Sequence, residues 1–392
     1  MRLNFAGIMG VMLKPRIVFV HDWLTGMRGG EKCLESLCKL FPDAKLYTLL
    51  HKKGALSPTI ENLKPQTSWL GKLPGVHNYY RYLLPFMPIA IESIKIPDCD
   101  LVVSLSHCVA KGIIPPKGVP HLCYCFTPVR YAWHMRDDYF EAGEKLSIKK
   151  RLAAPVLNHI RQWDKKTSER VTHFIAISKT IQNRISDCYS RESSVVYPPV
   201  DTEFYTSTNA QREDFYLVVS AFAPYKRIDL AIESCKALGK KLVIIGTGQD
   251  EKRLRSLAGP QTHFLGWQTD ASIRDHMQRC SALLFPGFED FGIVPVEAQA
   301  CGTPVIALGK GGATETIIGR ESGNEATGLF FAEPSVECMT NAIEEFDKEK
   351  NFYNSHAARK FALTFNQKNF EQGMLDQISK FVSGNATTKV AA

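Results

Sequence analysis

Three features common in other protein classes are missing from this sequence. It has no run of 18 apolar residues, no G-x-G-x-x-G after its first strand-like segment, and no Cys and His spacing typical of zinc. These absences exclude a membrane-spanning helix on length and argue against a nicotinamide dehydrogenase and a structural zinc site. The 11 cysteines are scattered, which predicts reduced thiols in a cytosolic protein rather than a disulfide framework.

The composition is that of an ordinary folded protein, with 44% apolar and 22% charged residues. This balance excludes a long disordered region, because disordered chains have few apolar residues and a high net charge. A chain of 392 residues also exceeds the ~250 to 300 residues that one hydrophobic core usually supports. Two domains are therefore expected.

Positive charge is concentrated in the first half of the chain. Residues 1–200 contain 28 Lys and Arg against 16 Asp and Glu, whereas residues 201–392 contain 20 against 24. This asymmetry predicts an anionic partner for the first half, and nucleic acid, a membrane surface and a phosphorylated ligand all fit. A solvated basic face is the alternative interpretation.

Short apolar, β-branched runs alternate with helical stretches in both halves, which is typical of α/β domains. Strands are predicted at 16–20, 101–105, 121–125, 173–177, 215–220, 241–245, 263–265, 282–285 and 304–307. We therefore predict two Rossmann-like, doubly wound parallel-sheet domains facing each other across a cleft. Such folds bind ligands at the carboxyl ends of their strands, so a nucleotide is the expected ligand.

The predicted domain boundary follows two adjacent prolines, Pro198 and Pro199, and lies in a polar stretch that reads as a linker. We place the N-terminal domain at residues 1–205 and the C-terminal domain at residues 206–365. A last helix, predicted at 366–384, follows the second sheet and is expected to pack back on the first domain.

The most informative segment carries two carboxylates, Glu289 and Glu297, on either side of a predicted strand-to-helix loop. If a helix begins near Val294, its first amides and its dipole form a site for a diphosphate. The residues at this helix start are Phe291, Gly292, Ile293 and Val294. Glu289 is then placed to meet sugar hydroxyls and Glu297 to meet a ribose. The alternative for Glu289 is a carboxylate that caps the helix, and the alternative for Glu297 is a solvated helix residue.

This E-x7-E pattern, with the segment 300–305 after it, resembles the signature of the family-4 retaining glycosyltransferases, which have the GT-B fold. The resemblance extends over nearly the whole chain, from the motif at 21–26 through 197–201 to 311–316. It is similar in particular to the mannosyltransferases that use GDP-mannose to build bacterial surface polysaccharides. The first domain would then bind the acceptor and the second the nucleotide-sugar.

The resemblance also implies site residues. Glu297 would hold the ribose, Glu289 the donor sugar and Lys226 the diphosphate, with His107 beside the sugar. Further donor-binding positions would be Phe291, Gly292, Ile293, Val294, Arg227 and Gly266. Phosphate or acceptor contacts would come from Arg130 and from a loop that contains Gly29 and Gly30, ahead of a helix predicted from Glu31 onward.

Two of these residues can also be interpreted from their chemistry alone, without the resemblance. Lys226 follows a predicted strand and turn, where a flexible ammonium can reach a phosphate as a point charge; an exposed surface lysine is the alternative. For His107 the alternative is a hydrogen-bonded core histidine.

Two departures from the family pattern stand out. Ala221 occupies a position where the family places an arginine, and Phe126 stands where the mannosyltransferase branch usually has a histidine. Neither side chain can donate a hydrogen bond, so an altered substrate or a weakly active protein would follow. The alternative function is therefore a non-catalytic, nucleotide-sugar-binding subunit of a glycosyltransferase complex. A GT-B epimerase or phosphorylase is a third interpretation, but no pyridoxal-binding lysine is recognisable.

No essential metal ion and no cofactor are expected, because cationic and dipolar groups would meet the diphosphate charge. The D-x-D pair Asp98 and Asp100 reads as a turn rather than a metal site. The expected partners are a nucleotide-diphosphate sugar and a saccharide acceptor, which a lipid diphosphate could carry; nucleic acid is not expected.

The expected location is the cytoplasm, including the inner face of the plasma membrane. Two segments, 71–96 and 146–170, combine aromatic and basic residues, which suits a peripheral contact with a bilayer.

Overall fold

The computed structural model describes residues 15–133, 148–208 and 211–388. The chain forms two compact units. The first contains the chain up to Cys125, Asn158–Ile175, and the chain from Met374 onward, and the second contains Phe126–Leu157 and Ala176–Gly373.

A seven-stranded parallel sheet has the order β3-β2-β1-β4-β5-β6-β7. Its strands are β1 Ile17–His21, β2 Lys45–Thr48, β3 Gln66–Thr67, β4 Leu101–Ser106, β5 His121–Cys125, β6 His173–Ala176 and β7 Ser193–Val195. The central strands β1, β4 and β5 are buried along their whole length, as expected for a sheet covered on both faces. β1 and β4 are neighbours, with His21 opposite Leu105, so the residues after both strands lie at the same edge.

A second parallel sheet has six strands in the order β10-β9-β8-β11-β12-β13. They are β8 Tyr216–Val219, β9 Leu242–Ile245, β10 Thr262–Gly266, β11 Ala282–Phe285, β12 Val305–Leu308 and β13 Gly328–Phe331. Side chains of β8, β9, β11 and β12 enter one buried cluster together with apolar residues of the flanking helices. β8 and β11 pair directly, so their carboxyl ends are adjacent.

Helices connect the strands. Those before β8 are α1 Gly29–Leu40, α2 Pro58–Glu61, α3 Met87–Glu92, α4 Arg130–Trp133, α5 Ile148–Thr167 and α6 Lys179–Tyr189. Those after β8 are α7 Ile228–Ala237, α8 Glu251–Leu257, α9 Asp270–Arg279, α10 Ile293–Ala300, α11 Ala313–Thr316, α12 Val336–Lys348, α13 Ser355–Ala362 and α14 Gln367–Thr388.

The predicted fold class is confirmed, and nine strands lie within a residue or two of their predicted positions. Four strands, β2, β3, β7 and β13, were not predicted. The units are also divided differently from the predicted domains, since residues 126–157 and 176–205 belong to the second unit. The last helix begins at Gln367, and its residues from Met374 onward belong to the first unit.

Several smaller expectations have a structural outcome. All 11 cysteines are free thiols. Asp98 and Asp100 precede β4, and both accept hydrogen bonds from the Arg16 guanidinium at 2.7 and 2.9 Å, which accounts for the D-x-D pair. Among the described residues, no helix has the length and apolar character needed to cross a bilayer.

Candidate functional site

The loop between β11 and α10 forms the centre of the candidate site in the second unit. α10 begins at Ile293, one residue before the predicted start, and Gly292 precedes it with a φ of 90°. This left-handed conformation favours glycine because it has no Cβ. The first amides of α10 have no partner within the helix and are available to an anion at its N-terminus.

Lys226 contacts a carboxylate of this loop. It ends a 3-10 turn, Pro224–Lys226, that follows β8, and its Nζ contacts Oε1 of Glu289. The close approach depends on Gly287, because a Cβ there would lie 2.9 Å from the Lys226 backbone. The structure therefore brings together two residues that lie 63 positions apart and that the sequence assigned to the diphosphate and the sugar.

The ammonium of Lys226 lies in a crowded electrostatic environment. Burial lowers the pKa of Lys226 to about 7, and the positive charge of Arg130 contributes to the shift. A desolvated lysine near another cation is well suited to an anionic ligand, because the ligand restores the charged form. Lys226, Glu289 and Gly287 line a small cavity at the carboxyl ends of β8 and β11, together with Val219, Ser220 and Pro286.

Asp290, next to Glu289, is a site residue that the sequence analysis missed. Its buried carboxylate pairs at 2.5 Å with Arg130 through one oxygen and at 2.5 Å with Arg184 through the other. Its carbonyl accepts a 2.6 Å hydrogen bond from the Ser178 hydroxyl. Asp290 therefore fixes the Glu289 loop to α4 and α6. An acidic residue between Glu289 and Phe291 in a loop gave no local sign of these distant partners.

Glu297 lies one turn inside α10 and is buried, with 7% of its surface exposed. This excludes the solvated helix residue that was its alternative interpretation. Tyr205 lies close enough for the Glu297 charge to contribute, after burial, to a raised pKa of the Tyr205 hydroxyl. The backbone before α10 is held by the loop after β12, where the Gly312 amide donates to the Glu289 carbonyl at 2.8 Å. A Cβ on Gly312 would lie 2.3 Å from the Phe291 Cα, so only glycine fits there.

Two other predicted donor-binding residues, Arg227 and Gly266, have left-handed backbones. The Arg227 guanidinium pairs with Asp229 at 3.3 Å, and its backbone is left-handed, with a φ of 50°. Gly266 ends β10 with a φ of 68°. Ala221 is exposed in the loop after β8, and its methyl side chain offers no charge to a diphosphate.

In the first unit, Gly29 and Gly30 form the first turn of α1, which begins two residues earlier than predicted. The expectation that they form a loop is therefore wrong. The helix extends to Gly29 because Glu31 accepts a 3.1 Å hydrogen bond from the Arg28 amide, and this satisfies a donor at the helix start. Both glycines are half-buried, and the first amides of a helix have no partner within it, which is compatible with an anion-binding role.

His107 directly follows β4 and pairs with Asp22, which directly follows β1 at the same edge of the sheet. The Asp22 carboxylate is fully buried and accepts hydrogen bonds from four successive amides, those of His107, Cys108, Val109 and Ala110, at 2.6 to 2.9 Å. The Nδ1 atom of His107 lies 3.0 Å from the same carboxylate. His107 is thus hydrogen-bonded, as its alternative interpretation required, but its ring remains 31% exposed.

The two parallel-sheet α/β units have the GT-B fold. The Anabaena protein HepE, solved in complex with UDP, has this fold and is similar to the chain with a TM-score of 0.67, covering 93% of this chain and 100% of its own at 17% identity. The family model "Glycosyl transferases group 1" matches residues 201–361. Residues 201–361 are thus similar to a group 1 glycosyltransferase domain, which confirms the resemblance seen in the sequence.

Relatives with known names agree with this family. An "uncharacterized glycosyltransferase" of Methanocaldococcus jannaschii is 30% identical over 54% of this chain and 62% of its own length. The human alpha-1,3/1,6-mannosyltransferase ALG2 is 26% identical over 86% of this chain and 88% of its own length. The chain spans about half to three fifths of the length of the first curated relatives that it matches.

Proposed function

We propose that the protein is a retaining glycosyltransferase that moves a hexosyl group from a nucleotide-diphosphate sugar to a saccharide acceptor. The proposed hexose is mannose. The observation that carries this proposal is the convergence of Lys226, Glu289 and the α10 N-terminus at the carboxyl ends of β8 and β11. A diphosphate needs cations and amide donors, and a sugar needs a carboxylate to accept from its hydroxyls.

Each group has a distinct task in this proposal. Lys226 and the first amides of α10 bind the diphosphate and stabilise the charge that develops on it during bond cleavage. Glu289 orients the transferred sugar, and Glu297, one turn further into the helix, accepts from the ribose. Arg130 acts at the edge of the diphosphate site, where its ion pair with Asp290 holds it.

The transfer balances without a protein nucleophile. The bond from the sugar C1 to the diphosphate oxygen breaks, and a bond from C1 to the acceptor oxygen forms on the same face. The leaving diphosphate takes the acceptor proton. We propose that no divalent ion is essential, so full transfer in excess EDTA is expected, and loss of activity there with recovery on adding Mg²⁺ would refute this part.

GDP-mannose is the proposed donor because ALG2 is a mannosyltransferase by name, whereas UDP is the nucleotide in the HepE structure. Thermal-shift measurements with GDP, UDP, GDP-mannose and UDP-glucose separate these donors, since a ligand that binds only the folded state raises stability with its affinity. A larger shift with UDP compounds would reassign the donor, and no shift with any of them would contradict the proposal.

Donor hydrolysis distinguishes an enzyme from a non-catalytic subunit. An active transferase should release GDP slowly from GDP-mannose without acceptor, and Glu289→Ala should reduce this release. Glu333→Ala provides a matched control, because Glu333 pairs with Lys310 on the surface of the same unit. Tight donor binding with no hydrolysis or transfer in the wild type would favour the alternative of a nucleotide-sugar-binding subunit.

A lipid-linked acceptor and a peripheral membrane location are part of the proposal. The segment predicted for the bilayer exposes Tyr82, Phe86 and Ile89, by 85%, 51% and 64%. Two basic residues of the same segment, Lys72 and Arg81, are also exposed. Aromatic and cationic side chains together suit an anionic bilayer surface. Within this segment Tyr80 is buried and would not contact the bilayer, and residues 146–147 of the other predicted segment lie outside the described residues.

The location is testable with vesicles. Binding to vesicles containing anionic lipid at low salt should fall when Tyr82 and Phe86 are both changed to Ser, because both rings would lose contact with the interface. Leu363→Ser, which removes an apolar side chain that is 40% exposed, is the control and should bind like the wild type. Equal binding by the double variant would refute this surface. Sedimentation from cell extracts at low and high salt would test the proposed site at the inner face of the plasma membrane.

A further inference from the structure

The Lys226 ammonium contacts an anionic side chain of its own unit. Its Nζ touches Oε1 of Glu289, and the two side chains are only 19% and 13% exposed. Both residues line the small cavity at the carboxyl ends of β8 and β11. The cation assigned to the diphosphate is therefore occupied by a carboxylate of the same protein.

Other charged groups face Lys226 from neighbouring elements, but they are engaged with each other. Arg130 of α4 and Asp290 of the loop before α10 both act on the charge of Lys226. Asp290 accepts hydrogen bonds of 2.5 Å from Arg130 and of 2.5 Å from Arg184 of α6. Glu289 is thus the carboxylate that meets the ammonium directly.

The backbones of the two residues are held in place, so the contact changes mainly by rotation of side chains. The Lys226 amide donates to the Ala223 carbonyl at 3.0 Å, and the Glu289 carbonyl accepts from the Gly312 amide at 2.8 Å. Gly287 packs so closely that a Cβ there would lie 2.9 Å from the Lys226 Cα. Side-chain rotation is faster than loop rearrangement, and Glu289 can leave the ammonium without moving the loop.

A diphosphate and a carboxylate compete for one ammonium in such a site. The two anions repel each other, and the repulsion is stronger where both are mostly withdrawn from water. A diphosphate that binds Lys226 therefore displaces Glu289. A nucleotide-sugar offers sugar hydroxyls to the displaced carboxylate. A free nucleoside diphosphate has no such sugar, so the carboxylate loses its partner and gains none, which is unfavourable for a buried acceptor.

We propose that the Glu289 carboxylate competes with the diphosphate for Lys226, and that its return to Lys226 after transfer helps to expel the nucleoside diphosphate. This inference rests on the proposed function and adds product release to it. While the donor is bound, Glu289 accepts from the sugar. Once the sugar has moved to the acceptor, Lys226 is the strong partner to which Glu289 returns. One carboxylate thereby favours the donor over the nucleoside diphosphate product.

Calorimetry with Glu289→Met tests the competition, because methionine has a similar length, carries no charge and cannot donate to a phosphate. Its affinity for GDP should exceed that of the wild type by about two- to tenfold, the contribution of a partly exposed ion pair. Inorganic pyrophosphate, which has neither base nor sugar, should show the same gain. The affinity for GDP-mannose should not rise, because the variant loses its contact with the sugar.

The titrations belong at a pH of about 6.5, because Lys226 has a pKa of about 7 and is mostly charged below it. A double-mutant cycle then separates competition for Lys226 from general removal of a negative charge. In the Lys226→Met background, Glu289→Met should give no gain in GDP affinity.

Asp347→Asn is the matched control. Asp347 also pairs with a lysine of the second unit, Lys240 at 2.8 Å, and its side chain is 17% exposed. It accepts from the hydroxyl of Tyr216, the first residue of β8, whereas Lys226 follows the last. Removing this carboxylate should therefore leave GDP affinity unchanged.

No gain for GDP or pyrophosphate in Glu289→Met would overturn the inference, and so would an equal gain in the Lys226→Met background. A gain for GDP-mannose as large as that for GDP would also overturn it, because Glu289 would then repel a diphosphate whether or not a sugar is attached. If Glu289→Met does not fold, Glu289→Gln takes its place in the same cycle, where a gain from its amide donating to a phosphate would persist without Lys226.

Failure of the proposed function would look different. A wild type that neither hydrolyses GDP-mannose or UDP-glucose nor transfers their sugars would refute the transferase proposal. The pyrophosphate affinities of the wild type and Glu289→Met would still decide the competition for Lys226.

Discussion

Two polar clusters lie at the carboxyl ends of central strands, one in each unit, and they satisfy their charges in opposite ways. In the first unit, the Asp22 carboxylate is bound by four backbone amides. In the second unit, Glu289 and Asp290 are bound mainly by side chains of Lys226, Arg130 and Arg184. Backbone donors cannot move without unfolding the loop, whereas long basic side chains can exchange one anion for another. The first cluster is therefore a rigid support, and the second is suited to receive a charged ligand.

The largest expected effect tests whether the second cluster is also structural. Asp290→Ala leaves Arg130 and Arg184, whose side chains are 30% and 14% exposed, without their shared carboxylate. Removing one partner of a buried ion pair costs about 3 to 5 kcal/mol, and partial exposure of Arg130 favours the lower end. The free energy of unfolding from urea titration measures this loss.

Asp275→Ala is the control for that experiment, because Asp275 pairs with Arg279 on the surface of the same unit, with its side chain 55% exposed. Its effect should stay within about 0.5 kcal/mol. If Asp290→Ala were as stable as this control, the cluster would be held by groups other than Asp290.

The next effect tests whether Lys226 is a cation that binds the diphosphate. Lys226→Met should weaken GDP binding by about ten- to a hundredfold, since a charge-assisted hydrogen bond contributes about 1.5 to 3 kcal/mol. Guanosine, which has no phosphates, should bind the wild type and Lys226→Met equally. Calorimetry can measure the affinities of GDP and guanosine for both proteins. Lys252→Met removes an exposed lysine from α8 and should bind GDP normally. A loss for guanosine equal to that for GDP would place Lys226 near the nucleoside instead.

A smaller effect concerns pH. Because burial lowers the pKa of Lys226 to about 7, the free ammonium loses its proton as the pH rises above 7, and only the charged form attracts a diphosphate. GDP affinity should therefore fall between pH 7.5 and 9, by at most about tenfold per unit. The phosphates are fully ionised in this range, with second pKa values of about 6, so they do not add to the slope. The slope should vanish in Lys226→Met, and a slope that persists there would come from another group.

The smallest effect concerns the missing arginine. Ala221→Arg should tighten GDP binding by no more than about tenfold, because one charge-assisted pair sets the upper limit and the new side chain starts from an exposed loop. Guanosine affinity should not change. An unchanged GDP affinity in a well-folded variant would indicate that another basic residue of the wild type already binds the diphosphate in place of the missing arginine. Arg130 is the candidate, because its charge acts on Lys226, whereas Arg227 pairs with Asp229.

The sequence predicted the parts of the molecule that depend on neighbouring residues. Nine strands and the start of α10 follow from apolar runs and from glycine placement, and the E-x7-E spacing led to the group 1 domain. β3 was missed because two residues carry no periodicity, and β2, Lys45–Thr48, because its alternation is too short to read. The roles of Asp290 and Asp22 depend on partners more than 80 positions away. No local pattern could have shown them.

Two close backbone approaches in the second unit also limit which substitutions this sequence can tolerate. A Cβ at Gly287 would lie 2.9 Å from the Lys226 backbone, and one at Gly312 would lie 2.3 Å from the Phe291 Cα. Even alanine, the smallest replacement, would push the lysine turn or the loop before α10 out of place. In a library that randomises every residue and selects for a working protein, these two positions should return a single amino acid. The exposed Ala221, which follows the cavity-lining Ser220 in the chain, should tolerate many amino acids.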